Sequence, residues 1–84
     1  MNKKTKIKYP SDISESFQEY LNKQGKTLDE YVNELCDYLV KRNIVLSTKI
    51  AETIAEYLPP CAYSYDYYEV IIPRVFDKIP SING

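Results

Sequence analysis

Lys3, Lys4, Lys6 and Lys8 place four of the chain's eleven basic side chains within six consecutive positions. Lys4, Lys6 and Lys8 alternate with Thr5, Ile7 and Tyr9, and Pro10 follows. A period of two is strand logic, because successive side chains on a strand point to opposite faces. The three lysines then share one face, and Thr5, Ile7 and Tyr9 share the other. Pro10 has no N–H to donate and ends the pairing. Such a row of ammonium groups suits attraction to phosphate, and lysines also serve to blunt an exposed strand edge.

Other chemistry is sparse. The chain has no histidine, the commonest general base. Its two glycines, Gly25 and Gly84, make no phosphate-cradling loop. Asp29 and Glu30 are explained as acidic residues at a helix N-terminus. Cys36 and Cys61 are too few for a disulfide framework or a four-ligand zinc set. Cys36 reads as a small buried hydrophobe. A non-enzyme without metal or cofactor is expected. No apolar run approaches a membrane span and no signal peptide is visible, so the expected location is the cytoplasm. The net charge of −1 conceals an asymmetry. Residues 1–26 carry six basic and three acidic side chains, a balance of +3, and residues 27–84 carry five and nine, a balance of −4.

Behind the lysines, Ser11 or Asp12 reads as a helix cap. Ile13, Phe17, Tyr20 and Leu21 form the apolar stripe of a helix that Gly25 stops. Thr27-Leu-Asp-Glu30 is a capping box. The helix it opens runs from Leu28 to Arg42, with Leu28, Tyr31, Val32, Leu35 and Leu39 on one stripe. Residues 1–43 hold 15 apolar or aromatic residues, against 22 in residues 44–84. This change divides the chain into a unit at 1–43 and an aromatic extension at 44–84. In the extension, Ser47 reads as a cap, Ile50, Ile54, Tyr57 and Leu58 as a third helical stripe, and Pro59-Pro60 as its end. Tyr63, Tyr65 and Tyr67 alternate ahead of Val70–Ile72, which predicts a short strand that Pro73 interrupts.

A lone strand at residues 4–9 has no partner inside its own unit. Pairing with the same strand of a second copy satisfies it, as a symmetric antiparallel ribbon covered on one face by four helices. Ile7, Tyr9, Ile13, Phe17, Leu21, Val32, Leu35 and Leu39 then form the dimer core. Lys4, Lys6 and Lys8 of both copies line the outer face, and a two-stranded ribbon fits the major groove of DNA. In this order and spacing, residues 4–42 resemble the ribbon-helix-helix DNA-binding proteins. The matching parts are Lys4–Tyr9, Pro10-Ser11-Asp12, Ile13–Gln24, Gly25-Lys26-Thr27 and Leu28–Arg42.

The resemblance implies a mostly α fold with a short β-ribbon, in which each strand is swapped into an intersubunit two-stranded ribbon. The C-terminal extension adds its third helix and short strand. It implies that Lys4, Lys6 and Lys8 read base edges. It also implies that the N–H groups of Thr27 and Leu28, with Lys26 beside them, bind a phosphate. Three lysines discriminate bases less than Arg or Asn, which shifts specificity toward site spacing and DNA shape. The expected function is a sequence-specific, double-stranded DNA-binding regulator, a homodimeric repressor of its own operon, with two dimers side by side as a further option. Cellular, plasmid and viral regulators fit equally.

Two alternatives involve residues 44–84. One is an antitoxin whose extension binds a toxin. The other is a protein-binding inhibitor that uses the fold only to dimerise. Tyr63, Tyr65, Tyr67 and Tyr68 are the candidate partner-binding residues, since tyrosine is enriched at interfaces. The competing reading makes them apolar area with a wet tip.

Overall fold

The computed structural model describes residues 7–82. Four helices make up its regular structure: α1 (Glu15–Lys23), α2 (Leu28–Lys41), α3 (Ser47–Tyr57) and α4 (Ile72–Lys78). A wide π-helical turn, Asp66–Ile71, leads directly into α4.

The α1 helix begins later than its stripe suggests. Its N-cap is Ser14, whose hydroxyl accepts from Phe17 N–H at 3.2 Å, while Ser11 and Asp12 sit in a preceding turn. Phe17 and Leu21 are fully buried. At α2 the expected capping box is present: Glu30 N–H donates to Thr27 Oγ1 at 3.0 Å, and Thr27 N–H donates to Glu30 Oε1 at 2.9 Å. Leu28, Tyr31, Val32, Leu35, Cys36 and Leu39 are all buried, and they form one continuous stripe down the helix.

Both helices end in the same left-handed device. Gly25 has φ +67°, with Gly25 N–H on Asn22 O at 3.0 Å and Lys26 N–H on Leu21 O at 3.1 Å. Asn43 has φ +56°, with Asn43 N–H on Val40 O at 3.0 Å and Ile44 N–H on Leu39 O at 3.1 Å. These paired bonds satisfy the last carbonyls of each helix, and glycine and asparagine are the residues that tolerate the conformation.

Residues 44–79 contribute to the same core. Ile50 and Ile54 of α3, Val70 and Ile71 of the π-helical turn, and Val75 of α4 are buried in one cluster with the α1 and α2 side chains. Ser47 is the first residue of α3 and not its cap; Leu46 takes the cap position without a side-chain bond. Beyond α4, Ile82 pairs with Leu46 in a single parallel bridge. Ser47 N–H donates to Ile82 O and Ile82 N–H to Val45 O, both at 2.7 Å.

Two further expectations are corrected. The intersubunit β-ribbon is not seen: there is no strand among the described residues, and Ile7–Pro10 is irregular. Lys4 and Lys6 lie outside the described residues. A strand needs a ladder partner, and the arm is held here by a side chain instead. Tyr9 Oη donates to Lys26 O at 2.8 Å, which fastens the arm to the α1–α2 turn. The short strand expected at residues 63–72 is likewise absent, and residues 64–72 are helical. Burial of Val70, Ile71 and Val75 against the core overrides the β-preference of their branched side chains. Pro73 lies in the first turn of α4, where a missing N–H costs little. In a regular helix its ring would collide with the carbonyl of Glu69, and the wide π-helical turn just ahead relieves that collision.

Candidate nucleic-acid interface

The start of α2 is where the basic residues meet. Lys8 and Pro10 from the arm, Thr27, Leu28 and Asp29 from the first turn of α2, and Arg74 from α4 line an open cleft of about 290 Å³. Three causes bring them together. The Tyr9–Lys26 hydrogen bond sets the path of the arm. The capping box fixes the first turn of α2. Burial of Val75 presses α4 onto the core and carries Arg74 to the cleft.

The charge balance in the cleft is positive. Lys78 Nζ lies 3.6 Å from Asp29 Oδ1 and offsets that carboxylate. Lys8 and Arg74 remain as cations without a carboxylate in ion-pair distance among the described residues. Arg74 Nη1 donates to Val70 O at 3.1 Å, which steadies the guanidinium and leaves its other N–H groups available. Leu28, the first helical residue, has an N–H with no intrahelical acceptor. The helix dipole adds partial positive charge at the same point.

The expected phosphate ligands fare unequally. Thr27 and Leu28 line the cleft, but Thr27 N–H is taken by Glu30. Lys26 does not line it: its Nζ is 2.6 Å from Glu34 Oε1, and that hydrogen bond raises its pKa above the usual lysine value. Arg74 and Lys78 were not foreseen. They fall in a stretch punctuated by Pro73 and Pro80, with no periodicity to place them on a face.

Six of the eight residues expected in a dimer core, Ile13, Phe17, Leu21, Val32, Leu35 and Leu39, are buried within the single chain. Tyr9 is partly buried against the core, and burial raises its pKa. Ile7 lines a separate shallow cleft with Tyr9, Glu15 and Glu19. Among the tyrosines, Tyr63, Tyr65 and Tyr68 are exposed. Tyr67 is partly buried and donates to Ala51 O at 2.8 Å. No group of His, Cys, Asp and Glu among the described residues could hold a metal ion, and none of the described helices is long and apolar enough to cross a membrane. Comparison with protein-family models, curated proteins and solved structures finds no match for the chain.

Proposed function

We propose that the chain is a non-enzymatic DNA-binding protein that holds the phosphate backbone at the start of α2 and acts as a regulator of transcription. The observation that carries this reading is the convergence of Lys8 and Arg74 on the first turn of α2. Two uncompensated cations, a helix N-terminus and a neighbouring lysine that offsets Asp29, the carboxylate lining the cleft, are the makings of a phosphate site. Lys3, Lys4 and Lys6 precede Lys8 in the sequence and belong to the same basic run. The helix, glycine turn and capping box that carry the family resemblance all support a DNA partner. The inserted ribbon is no part of this reading, so backbone contacts dominate and sequence discrimination is weak.

A homodimer would double the phosphate contacts. Exposed Val45, Leu46 and Ile82, set side by side by the Leu46–Ile82 bridge, offer it an apolar surface. The antitoxin alternative draws less support, because the extension is committed to the chain's own core through Ile50, Ile54, Val70, Ile71 and Val75.

The test is fluorescence anisotropy with a random-sequence duplex across a salt series. The native chain is expected to bind with a Kd of roughly 10⁻⁴ to 10⁻⁶ M at physiological salt, weakening linearly on a logarithmic plot. Lys8→Ala with Arg74→Ala should flatten the slope by about 2, one for each phosphate contact removed. Binding that is absent, or insensitive to salt, overturns the reading.

A further inference from the structure

The side chain of Tyr63 divides two neighbouring open clefts. On one side Ser14, Glu15, Ser16, Glu19 and Tyr65 line a polar cleft of about 430 Å³. On the other, Leu58, Pro59, Ala62, Tyr67 and Tyr68 line an apolar groove of about 280 Å³. Neither shares a residue with the basic cleft at α2.

The polar cleft has the makings of a cation site. Glu15 and Glu19 are one turn apart on α1, and among the described residues no ammonium or guanidinium lies within ion-pair distance of either. Beside them the Tyr63 and Tyr65 rings meet at 5.9 Å and 62°, so one presents its edge to the other. Carboxylates joined by aromatic faces favour a basic side chain, through charge-assisted hydrogen bonds and cation–π attraction.

The apolar groove continues the surface. Tyr67 and Tyr68 stand at 4.6 Å and 73°. Groove walls of tyrosine and proline fit an extended, proline-rich chain, which loses little entropy on docking. Hydrogen bonds hold the Tyr63 main chain and the Tyr67 ring. Tyr63 N–H donates to buried Asp66 at 2.8 Å, and Tyr67 Oη to Ala51 O at 2.8 Å. Yet Tyr63 and Tyr68 remain 58% and 64% exposed, unusually open for large apolar rings.

We propose that this surface docks an extended segment of a protein partner. The segment presents an arginine or lysine to Glu15, Glu19 and the Tyr63–Tyr65 pair, and proline or aliphatic side chains to the groove between Leu58 and Tyr68. Nucleic acid is the wrong occupant here, because the two carboxylates repel phosphate.

The test uses the full chain, labelled with ¹⁵N, and two synthetic peptides. One is Ala-Arg-Pro-Leu-Pro-Pro-Leu-Pro, and its twin carries Glu in place of Arg. The first peptide should give saturable amide shifts concentrated at Glu15, Glu19, Tyr63, Tyr65 and Tyr68. The Glu twin should bind at least about tenfold more weakly. Glu15→Gln with Glu19→Gln should weaken the Arg peptide by a similar factor while leaving the spectrum that of a folded chain. Tyr68→Ala, at an exposed ring, should weaken both peptides. No saturable shifts, equal binding of the twins, or shifts that map to the start of α2 each overturn the proposal.

Discussion

Asp66 and Ser14, 52 positions apart, share two hydrogen bonds in the interior: Ser14 N–H reaches Asp66 Oδ1 at 2.8 Å, and Ser14 Oγ donates to Asp66 Oδ2 at 2.7 Å. The Asp66 carboxylate is wholly buried and also accepts Tyr63 N–H at 2.8 Å. Ser14 Oγ in turn accepts from Phe17 N–H, so one hydroxyl caps α1 and ties it to the extension. A carboxylate is the acceptor-only group that three donors require.

Asp66→Ala leaves the buried Ser14 N–H and the part-buried Tyr63 N–H without their acceptor. The expected loss is about 3 kcal/mol in urea unfolding, a large part of the stability of a chain this size. Asp66→Asn should rescue little, because its amide nitrogen must face one of the donors. Ser14→Ala alone should cost about 1 kcal/mol as a lost cap. A double-mutant cycle should return a coupling of at least about 0.5 kcal/mol, and additive effects would show that the pair does not work as a unit.

Tyr31 presents the opposite case. Its ring is buried, 5.5 Å from Phe17 and 5.6 Å from Tyr57, and its hydroxyl has no hydrogen-bond partner among the described residues. Burial pushes its phenol far above the ordinary value of 10.0. The unfolded chain therefore ionises this tyrosine first as pH rises. Its contribution to stability is intact below pH 10.0 and is lost above it. Tyr31→Phe should be neutral or stabilising by about 1 kcal/mol near neutral pH. Its advantage should widen between about pH 8 and about pH 11. A residual alkaline slope should persist in the variant, because burial also raises Tyr57 and Tyr67. Urea midpoints at both pH values decide the matter, and a destabilised Tyr31→Phe variant would mean that the hydroxyl has a partner.

Gly25 and Asn43 offer a matched comparison, since both follow a helix end with positive φ. A Cβ at Gly25 meets nothing within 4 Å, so Gly25→Ala should cost only the backbone strain of a left-handed alanine, about 1 kcal/mol. Asn43→Gly keeps the permitted conformation and should shift stability by less than about 0.5 kcal/mol. Thermal melts of the two variants should separate clearly, and equal Tm values would contradict the paired assignment.

What could be read from the sequence was local. The Thr27–Glu30 box, the stop at Gly25 and the stripe from Leu28 to Leu39 depend on neighbours a few positions away, and each has the expected form. The cap of α1 was displaced to Ser14 because its choice depends on Asp66, far along the chain. Alternation at residues 4–9 suggested a strand, yet what Tyr9 meets is a carbonyl of the α1–α2 turn. Asn43 is another left-handed stop, passed over because asparagine signals it less strongly than glycine. Arg74 reached the basic cleft only through the helix that Val70, Ile71 and Val75 impose on a β-prone stretch. Asn43 apart, these misses share one cause: long-range packing outweighed local preference.

The Ser14–Asp66 pair joins a helix made early to a segment made late. A ribosome releases α1 and α2 first, and the core around Phe17, Leu21, Leu35 and Leu39 stays incomplete until Val70, Ile71 and Val75 have been made. Synthesis and closure therefore run out of step: a nascent chain halted before Asp66 carries a polished first half that is greasy on its inner side. Exposed apolar surface of that kind is what chaperones and proteases act on.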